Sequence, residues 1–455
     1  MTWFGSRKDK HLRKTQGRLV TAMTASMLVI FALFCQNCEL NNNVKIPQVS
    51  CDTYYKLTSV LQGTHNDMSM FGDIVLFNHN VTTAYDMIGN KMLWQKGKMD
   101  LFAIEGVGGG FTKPYKIGDE LYIVSGTAYS APTRIAVVDI HTGAIVKRIK
   151  PSGAKFMIQG TYAFIYENKY YFTGGDRHSY DAYYGNGLYY IDLGNLTYDN
   201  GDGYWAGDPV VVKQIPRNAN PMDGVRQDGH YCYMTWFAVN DDVYVKDPGE
   251  RQGVAKIDLD TGLTVWENND FYSYNIFSIT DHYVYANYED PSKNALNGGS
   301  LGLRIYDKEN GEVIKILPDC GMGTSRISFD NGLMYFATGN YPDQFPYTAL
   351  MYCIDEANGN IIWQRFKAET DEPSTLGCKP QVHNGVLYIP TSHYLELCDA
   401  STGEALGRDY SIYGDGWNAG DTVKWNNIMV VSDGKGQIWG IVMNWKIVNG
   451  KLVKE

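Results

Sequence analysis

The stretch Ile257-Asp258-Leu259-Asp260-Thr261-Gly262-Leu263-Thr264-Val265-Trp266 reads as a strand end, a tight corner and a second strand closed by Trp. The Asp can accept from backbone amides two residues on, and the Gly takes the positive φ that closes the corner. The phrase returns at Asp86 to Gly89 and Trp94, Asp139 to Gly143, Asp192 to Gly194, Asp307 to Gly311, Asp355 to Gly359 and Trp363, and Asp399 to Gly403. Seven copies at a period of tens of residues mark a repeat architecture, since a unit this small must stack on neighbours to bury its apolar face.

A second phrase precedes the first: Gly118-Asp119-Glu120-Leu121-Tyr122, Asn331-Gly332-Leu333-Met334-Tyr335 and Asn384-Gly385-Val386-Leu387-Tyr388 are clear copies. Asn, Asp and Gly make the hairpin turn, and the β-branched and aromatic residues that follow suit a pleated strand buried on both faces. The two phrases give four strands per unit at a spacing of about fifty residues, the size of a propeller blade. Further copies at Gly72-Asp73-Ile74-Val75 and Asn427-Ile428-Met429-Val430 bring the count to eight, with the last blade expected to run through Trp439-Gly440-Ile441 into Asn449-Gly450-Lys451-Leu452. The fold class is therefore all-β, an eight-bladed β-propeller of four-stranded antiparallel blades. Trp94, Trp266 and Trp363, each eight residues past its Asp, are expected at blade interfaces, and the Gly- and Asp-rich insertion from Asp199 to Asp208 in a surface loop.

The corner Asp-Xaa-Thr-Gly-Xaa-Xaa-Xaa-Trp after a Gly-Xaa-Leu-Tyr-type strand resembles the pyrroloquinoline-quinone (PQQ)-like β-propeller repeat, from about Tyr55 to the end. That repeat builds quinone-dependent dehydrogenases, the periplasmic lipoprotein of the outer-membrane β-barrel assembly machinery and many non-catalytic binding scaffolds, so the resemblance implies a fold more than a function. The enzymes of the family carry two adjacent cysteines in a disulfide beneath the quinone, a calcium ion and an Asp base. This chain has no Cys-Cys pair, and its Asp residues are largely taken by the corners. No cofactor is expected on that basis; PQQ with calcium belongs to an alternative, a periplasmic dehydrogenase or sugar-active enzyme with its site over the central channel.

Residues 1–38 stand apart as an export signal or lipoprotein leader, 39–54 as a polar tether, and 55–455 as one propeller. Six Lys and Arg against Asp9, then an apolar run from Leu19 to Phe34, hold the first end in the cytoplasm and send the propeller across the membrane. Sixteen residues is short for a spanning helix. Cys35 and Cys38 raise lipidation, although the large Phe34 is unlike the small residues that precede a lipidated Cys; cleavage with secretion and an uncleaved anchor stay open, as does a cytosolic chain with a stray apolar helix. The expected location is the periplasm or the membrane-anchored face of the cell envelope, with membrane association through the N-terminus only.

The net charge is −10, and without the basic leader near −15, with no basic cluster after Arg18. A nucleic-acid partner is excluded on that ground. Beyond the leader six cysteines remain, which would permit three disulfides in an oxidising compartment. The repeat places Cys353 and Cys398 on equivalent strands of adjacent blades, too far apart for a bridge, so most read as small buried hydrophobes. Of the nine histidines, His65, His178, His230 and His393 are the candidates for ligands, and none has metal-binding spacing to another His or Cys beyond the alternation of His230 with Cys232.

Two candidate sites remain. Counting back nine residues from the strand Tyr residues 122, 335 and 388 gives Lys113, Arg326 and Lys379, three cations at one register that can line the channel as an anion site or pair with carboxylates of neighbouring blades. The aromatic segments with Tyr183 and Tyr184, and with Tyr341, Phe345 and Tyr347, suit stacking on sugars or protein contacts. The function expected from the sequence is a non-enzymatic, monomeric scaffold for an envelope protein or glycan.

Overall fold

The computed structural model describes residues 46–57, 67–78, 81–103, 114–125, 134–152, 156–179, 182–215, 219–221, 225–238, 253–269, 273–289, 301–317, 327–337, 349–366, 379–391, 394–411, 422–432 and 438–455. They form eight antiparallel sheets around one axis, an eight-bladed β-propeller with one helical turn, Lys98–Phe102. Blade 1 runs from Asp67 to Gly97, blade 2 from Tyr115 to Pro151, blade 3 from Phe156 to Gln214 and blade 4 from Ala219 to Asn268. Blades 5, 6 and 7 span Ser273 to Leu317, Ile327 to Phe366 and Gln381 to Asp409.

Each corner is built as its residues dictate. At Asp139 the carboxylate accepts from the amides of His141 (3.1 Å) and Thr142 (2.8 Å) and from the Thr142 hydroxyl (2.7 Å), while Gly143 at φ +68 turns the chain. Asp258 and Asp307 bind the amides two and three residues on in the same way. The hairpin turns Asn331-Gly332 and Asn384-Gly385 have positive φ at both residues, the geometry that matches strand twist in a two-residue loop.

The corners also receive the neighbouring blade. Trp94 Nε1 donates to the Ile140 carbonyl (2.7 Å), Trp266 to Lys308 (3.0 Å) and Trp363 to Ala400 (2.9 Å), in each case the residue after the corner Asp of the next blade. The indole lies flat over the corner Gly: a Cβ on Gly143, Gly311 or Gly403 would sit 2.7, 2.4 or 2.6 Å from the ring. The three Trp residues thus sit at blade interfaces, although Trp363 is only half-buried where Trp94 and Trp266 are buried. In blade 5 the lock position holds Lys315, whose Nζ donates to the Gly359 carbonyl (2.8 Å), and the Tyr285 hydroxyl takes over the bond to the post-Asp carbonyl, that of Glu356 (2.7 Å).

Blade 8 corrects the expected closure. Its first three strands are Thr422–Trp425, Ile428–Ser432 and Ile438–Val442, but the fourth is Asp52–Leu57 from the other end of the chain, paired antiparallel with Ile438–Val442. The ring is closed by hydrogen bonds between the two ends. Tyr54 serves the closing seam, its hydroxyl reaching the Met87 carbonyl after the blade 1 Asp (3.4 Å). The Asn449-Gly450 turn instead joins Trp445–Val448 and Lys451–Lys454 in a separate hairpin. This hairpin lies against blade 7, whose lock position is Gly407; a Cβ there would meet Leu452 and Val49, each at 2.8 Å. Buried Asp409 accepts from the Cys51 amide (2.6 Å), and Lys454 pairs with Asp52 (2.6 Å). The propeller therefore takes in residues from Gln48 onward, which bridges to Arg408.

The insertion read as a loop is also β-structure. Thr197–Asp199 and Tyr204–Gly207 form a hairpin whose second strand adds in parallel to Ile145–Pro151, making blade 2 six-stranded. An outer strand offers unpaired amides and carbonyls, and the insertion satisfies them. Lys150 holds it through Asp199 (2.7 Å) and Asp202 (2.6 Å).

Two outcomes follow. Trp94→Ala should lower the free energy of unfolding by about 3 to 5 kcal/mol in urea titration, with Trp363→Ala costing less because its ring is partly solvated; equal costs would place the stabilisation elsewhere than in indole burial. Deletion of residues 1–34 should leave a folded propeller, whereas deletion of 1–57 should open the ring and make blade 8 the first site of proteolysis. A 1–57 deletion as protease-resistant as the shorter one would refute closure by this strand.

Candidate functional site

The meander gives the ring two unlike ends. Connections from first to second and from third to fourth strands leave at one end, and those from second to third and from blade to blade at the other. At the first end the turns hold two to five residues, apart from the blade 3 insertion. Connections at the second end include 98–114, 239–252, 338–348 and 367–380.

The candidates fare differently. Lys113, Arg326, Tyr341, Phe345 and Tyr347 lie outside the described residues, as do His65 and His393. Tyr183 and Tyr184 are not in a loop: the strand Ala182–Asp192 includes them, paired with Arg177 and Asp176, because the central hairpin of blade 3 is longer than in the other blades. Lys379 is half-buried at the foot of blade 7, where its carbonyl accepts from the Thr422 hydroxyl (2.5 Å), and Gln381 Nε2 donates to the oxygen of that hydroxyl (2.9 Å), tying blade 7 to blade 8. The register behind the count is real in the described strands: Tyr115, Ser328 and Gln381 pair with Tyr122, Tyr335 and Tyr388. His230 sits in a turn against the Tyr231 ring at 3.9 Å, away from the fully buried Cys232.

That register carries a set the sequence reading used only as a ruler. Tyr122, Tyr171, Tyr233, Tyr285, Tyr335 and Tyr388 occupy one level in six consecutive blades, all buried. Burial raises each phenol, so the ring of hydroxyls is neutral and acts as a structural layer. Cys51, Cys232, Cys353 and Cys398 are likewise buried and unbridged, with thiols pushed up first by burial, so they behave as small hydrophobes.

The densest buried charge lies between blades 6 and 7. Fully buried Glu396 is shared by Arg365 and by Arg408 (3.0 Å), Arg365 Nη1 also meets Cys398 Sγ (3.1 Å), and the Arg408 guanidinium stacks over Tyr394 at 4.5 Å. Burial works against the Arg365 charge and Glu396 outweighs it, keeping the guanidinium protonated. Removing Glu396 would leave two cations without their counter-ion, so this network specifies the seam between two blades. No sequence spacing announces it, since its members come from three strands of two blades.

The short-turn end is acidic through its corners and through Asp73, Asp119, Asp228, Asp281 and Asp330. Its carboxylates are spent on the fold: Asp73 accepts from Trp425 Nε1 (2.9 Å), Asp228 pairs with Lys308 (2.5 Å), and the corner Asp residues hold their own amides. Among the described residues no three His, Cys, Asp or Glu side chains converge as a metal site.

No family model matches the chain, and no curated protein matches it. Solved structures do. A europium-containing methanol dehydrogenase superposes with TM-score 0.52 at 12% identity over 86% of each chain. The quinohemoprotein alcohol dehydrogenase ADHIIG from Pseudomonas putida HK5 gives 0.51 at 11% identity, over 89% of this chain and 77% of that one. BamB from Moraxella catarrhalis gives 0.49 at 12% identity, over 88% and 98%. The likenesses to the two dehydrogenases support the PQQ-like β-propeller fold and go no further.

The corner carboxyls of Asp139 and Asp258 are held below the ordinary carboxylate value, the first chiefly by the Thr142 hydroxyl and the second by the Thr261 amide. Lowered folded values mean stability present above about pH 4 and lost as pH falls through them. Asp139→Asn should therefore flatten the acid limb of stability in urea titrations run from about pH 5 down to about pH 2; an unchanged limb would show that the corner contributes nothing to it.

Proposed function

We propose that the protein is an exported, non-enzymatic propeller scaffold that presents its long-connection end to a protein or glycan partner at the cell envelope. The observation that carries this reading is the unequal pair of ends: one is consumed by short, internally hydrogen-bonded corners, and the connections free to differ between blades gather at the other. Chain segments that vary on a rigid scaffold are where binding residues concentrate. Export rests on the basic and apolar leader. Among the described residues no helix is long and apolar enough to cross a membrane.

Lys113, Arg326 and Lys379 are proposed to attract an acidic group near the axis, where like charges are unfavourable unless carboxylates or a ligand offset them. Replacing Arg326 and Lys379 together by Met should then abolish partner capture and leave thermal stability unchanged or raised. Lowered stability with capture intact would identify them as interblade ion pairs. The scaffold reading itself is tested by co-purification from envelope fractions. Dye-linked alcohol or sugar oxidation by the purified chain after addition of PQQ and calcium would overturn it.

A further inference from the structure

Five described corners place Gly four residues past the Asp, at Gly143, Gly262, Gly311, Gly359 and Gly403; the preceding blade covers four of them and leaves Gly262 uncovered. The lock position pairs with the residue two before the corner Asp: Trp94 with Ala84, Trp266 with Lys256, Trp363 with Cys353 and Lys315 with Ile305. In blade 3 that residue is Tyr190, and its partner is Val210. Val210 is too short to reach the blade 4 corner. Gly262, at φ +70, has nothing within 4 Å of where its Cβ would point, while the equivalent Gly143, Gly311, Gly359 and Gly403 are each covered by Trp or by Ile305 and Lys315. Among the described residues nothing donates to the Leu259 carbonyl, the counterpart of the carbonyls of Ile140, Lys308 and Ala400.

The apolar groups around this place are correspondingly bare. Leu263 is 67% exposed and Val210 41%. Blades 3 and 4 are joined by Tyr166 to Asp260 (2.7 Å) and by Lys213 to Glu267 (2.6 Å) and Thr264 (3.2 Å), none of which covers Gly262. Asp208 and Asp260 add exposed carboxylates to the margin.

We propose that the seam between blades 3 and 4 is a docking slot for a tryptophan of a partner protein, carried on a segment with Lys or Arg beside it. The chain itself shows what the slot accepts: three times it lays an indole on a corner glycine and satisfies the ring N–H with the carbonyl after the Asp. At the fourth such corner the glycine and the carbonyl are present and the indole is missing. A Trp supplied in trans would gain the same burial and hydrogen bond, and large aromatics seated in preformed pockets are the side chains that dominate interfaces. The carboxylates at the margin select basic neighbours and repel acidic ones. The proposal rests on the reading of the ring as a scaffold, and it adds a rim site distinct from the axial end.

The test uses the full-length protein and the peptide acetyl-Lys-(5-fluoro-Trp)-Lys-amide, followed by fluorine NMR. A saturable shift is expected with the native chain. It should weaken at least about tenfold in Val210→Trp, which supplies the lock in cis and should also raise the melting temperature. Val210→Lys copies the Lys315 arrangement of blade 5 at an exposed position and guards against misfolding of the first variant; it should weaken the peptide equally. No shift with the native chain, or a shift of equal strength in both variants, would overturn the proposal. So would self-association abolished by Val210→Trp, which would make a second copy the occupant. None of these outcomes touches the co-purification test of the scaffold itself.

Discussion

The indole laid over a corner glycine is the contact on which the ring depends. It joins the outermost strand of one blade to the tightest turn of the next, and each half needs the other. The corner must have glycine, both for its positive φ and because any side chain would strike the ring. The indole must have the carbonyl after the Asp, because its N–H leaves water on docking and an unpaired donor there costs more than a bond gains. Asp fixes that carbonyl by holding the turn. A blade's own hydrogen bonds run within its sheet, so it is these side-chain bonds, with the packed faces, that turn eight meanders into one cooperative body.

The same economy explains why charge and shape are distributed unevenly. The acidic end spends carboxylates on amides, on Trp425 and on Lys308, and apart from the blade 3 insertion its described turns are short. The opposite end carries no such constraint, because a connection between blades has only to span a gap. Where the lock is absent the chain substitutes locally: Lys315 with Tyr285 in blade 5, Tyr54 at the closing seam, and Val49 with Leu452 over Gly407. The seam between blades 3 and 4 stands out because, of the corners with Gly four residues past the Asp, Gly262 alone among the described residues has nothing over it.

Much of this was legible in the sequence, for a physical reason. Asp, Gly and Trp at fixed offsets act through local geometry, so their spacing gives the corner, the blade count and the interface position of Trp94, Trp266 and Trp363. The closing strand was not legible, since Asp52–Leu57 lacks a corner of its own and is defined by a partner almost four hundred residues away. The insertion escaped for the opposite reason: Asp199-Asn200-Gly201-Asp202-Gly203 has turn composition, and only the free edge of blade 2 makes strands of its flanks. Tyr183 and Tyr184 looked like loop residues because Gly185 and Gly187 follow them, yet a long central hairpin tolerates glycine where the partner backbone passes close: a Cβ on Gly187 would lie 2.2 Å from the Lys213 carbonyl. Arg365, Glu396 and Arg408 are joined only by the packing of two blades.

The sparseness of the requirement also accounts for a fold shared at 11 to 12% identity with dehydrogenases that use this ring for chemistry. A few residues per blade set the corner and the lock, and the strands between them need only be β-branched or aromatic and of the right length. Nearly every other position is free to diverge without loss of the ring. The fold therefore leaves function open, and the repeat is broken at the long connections, at the added hairpin of blade 2 and at the corner of Gly262.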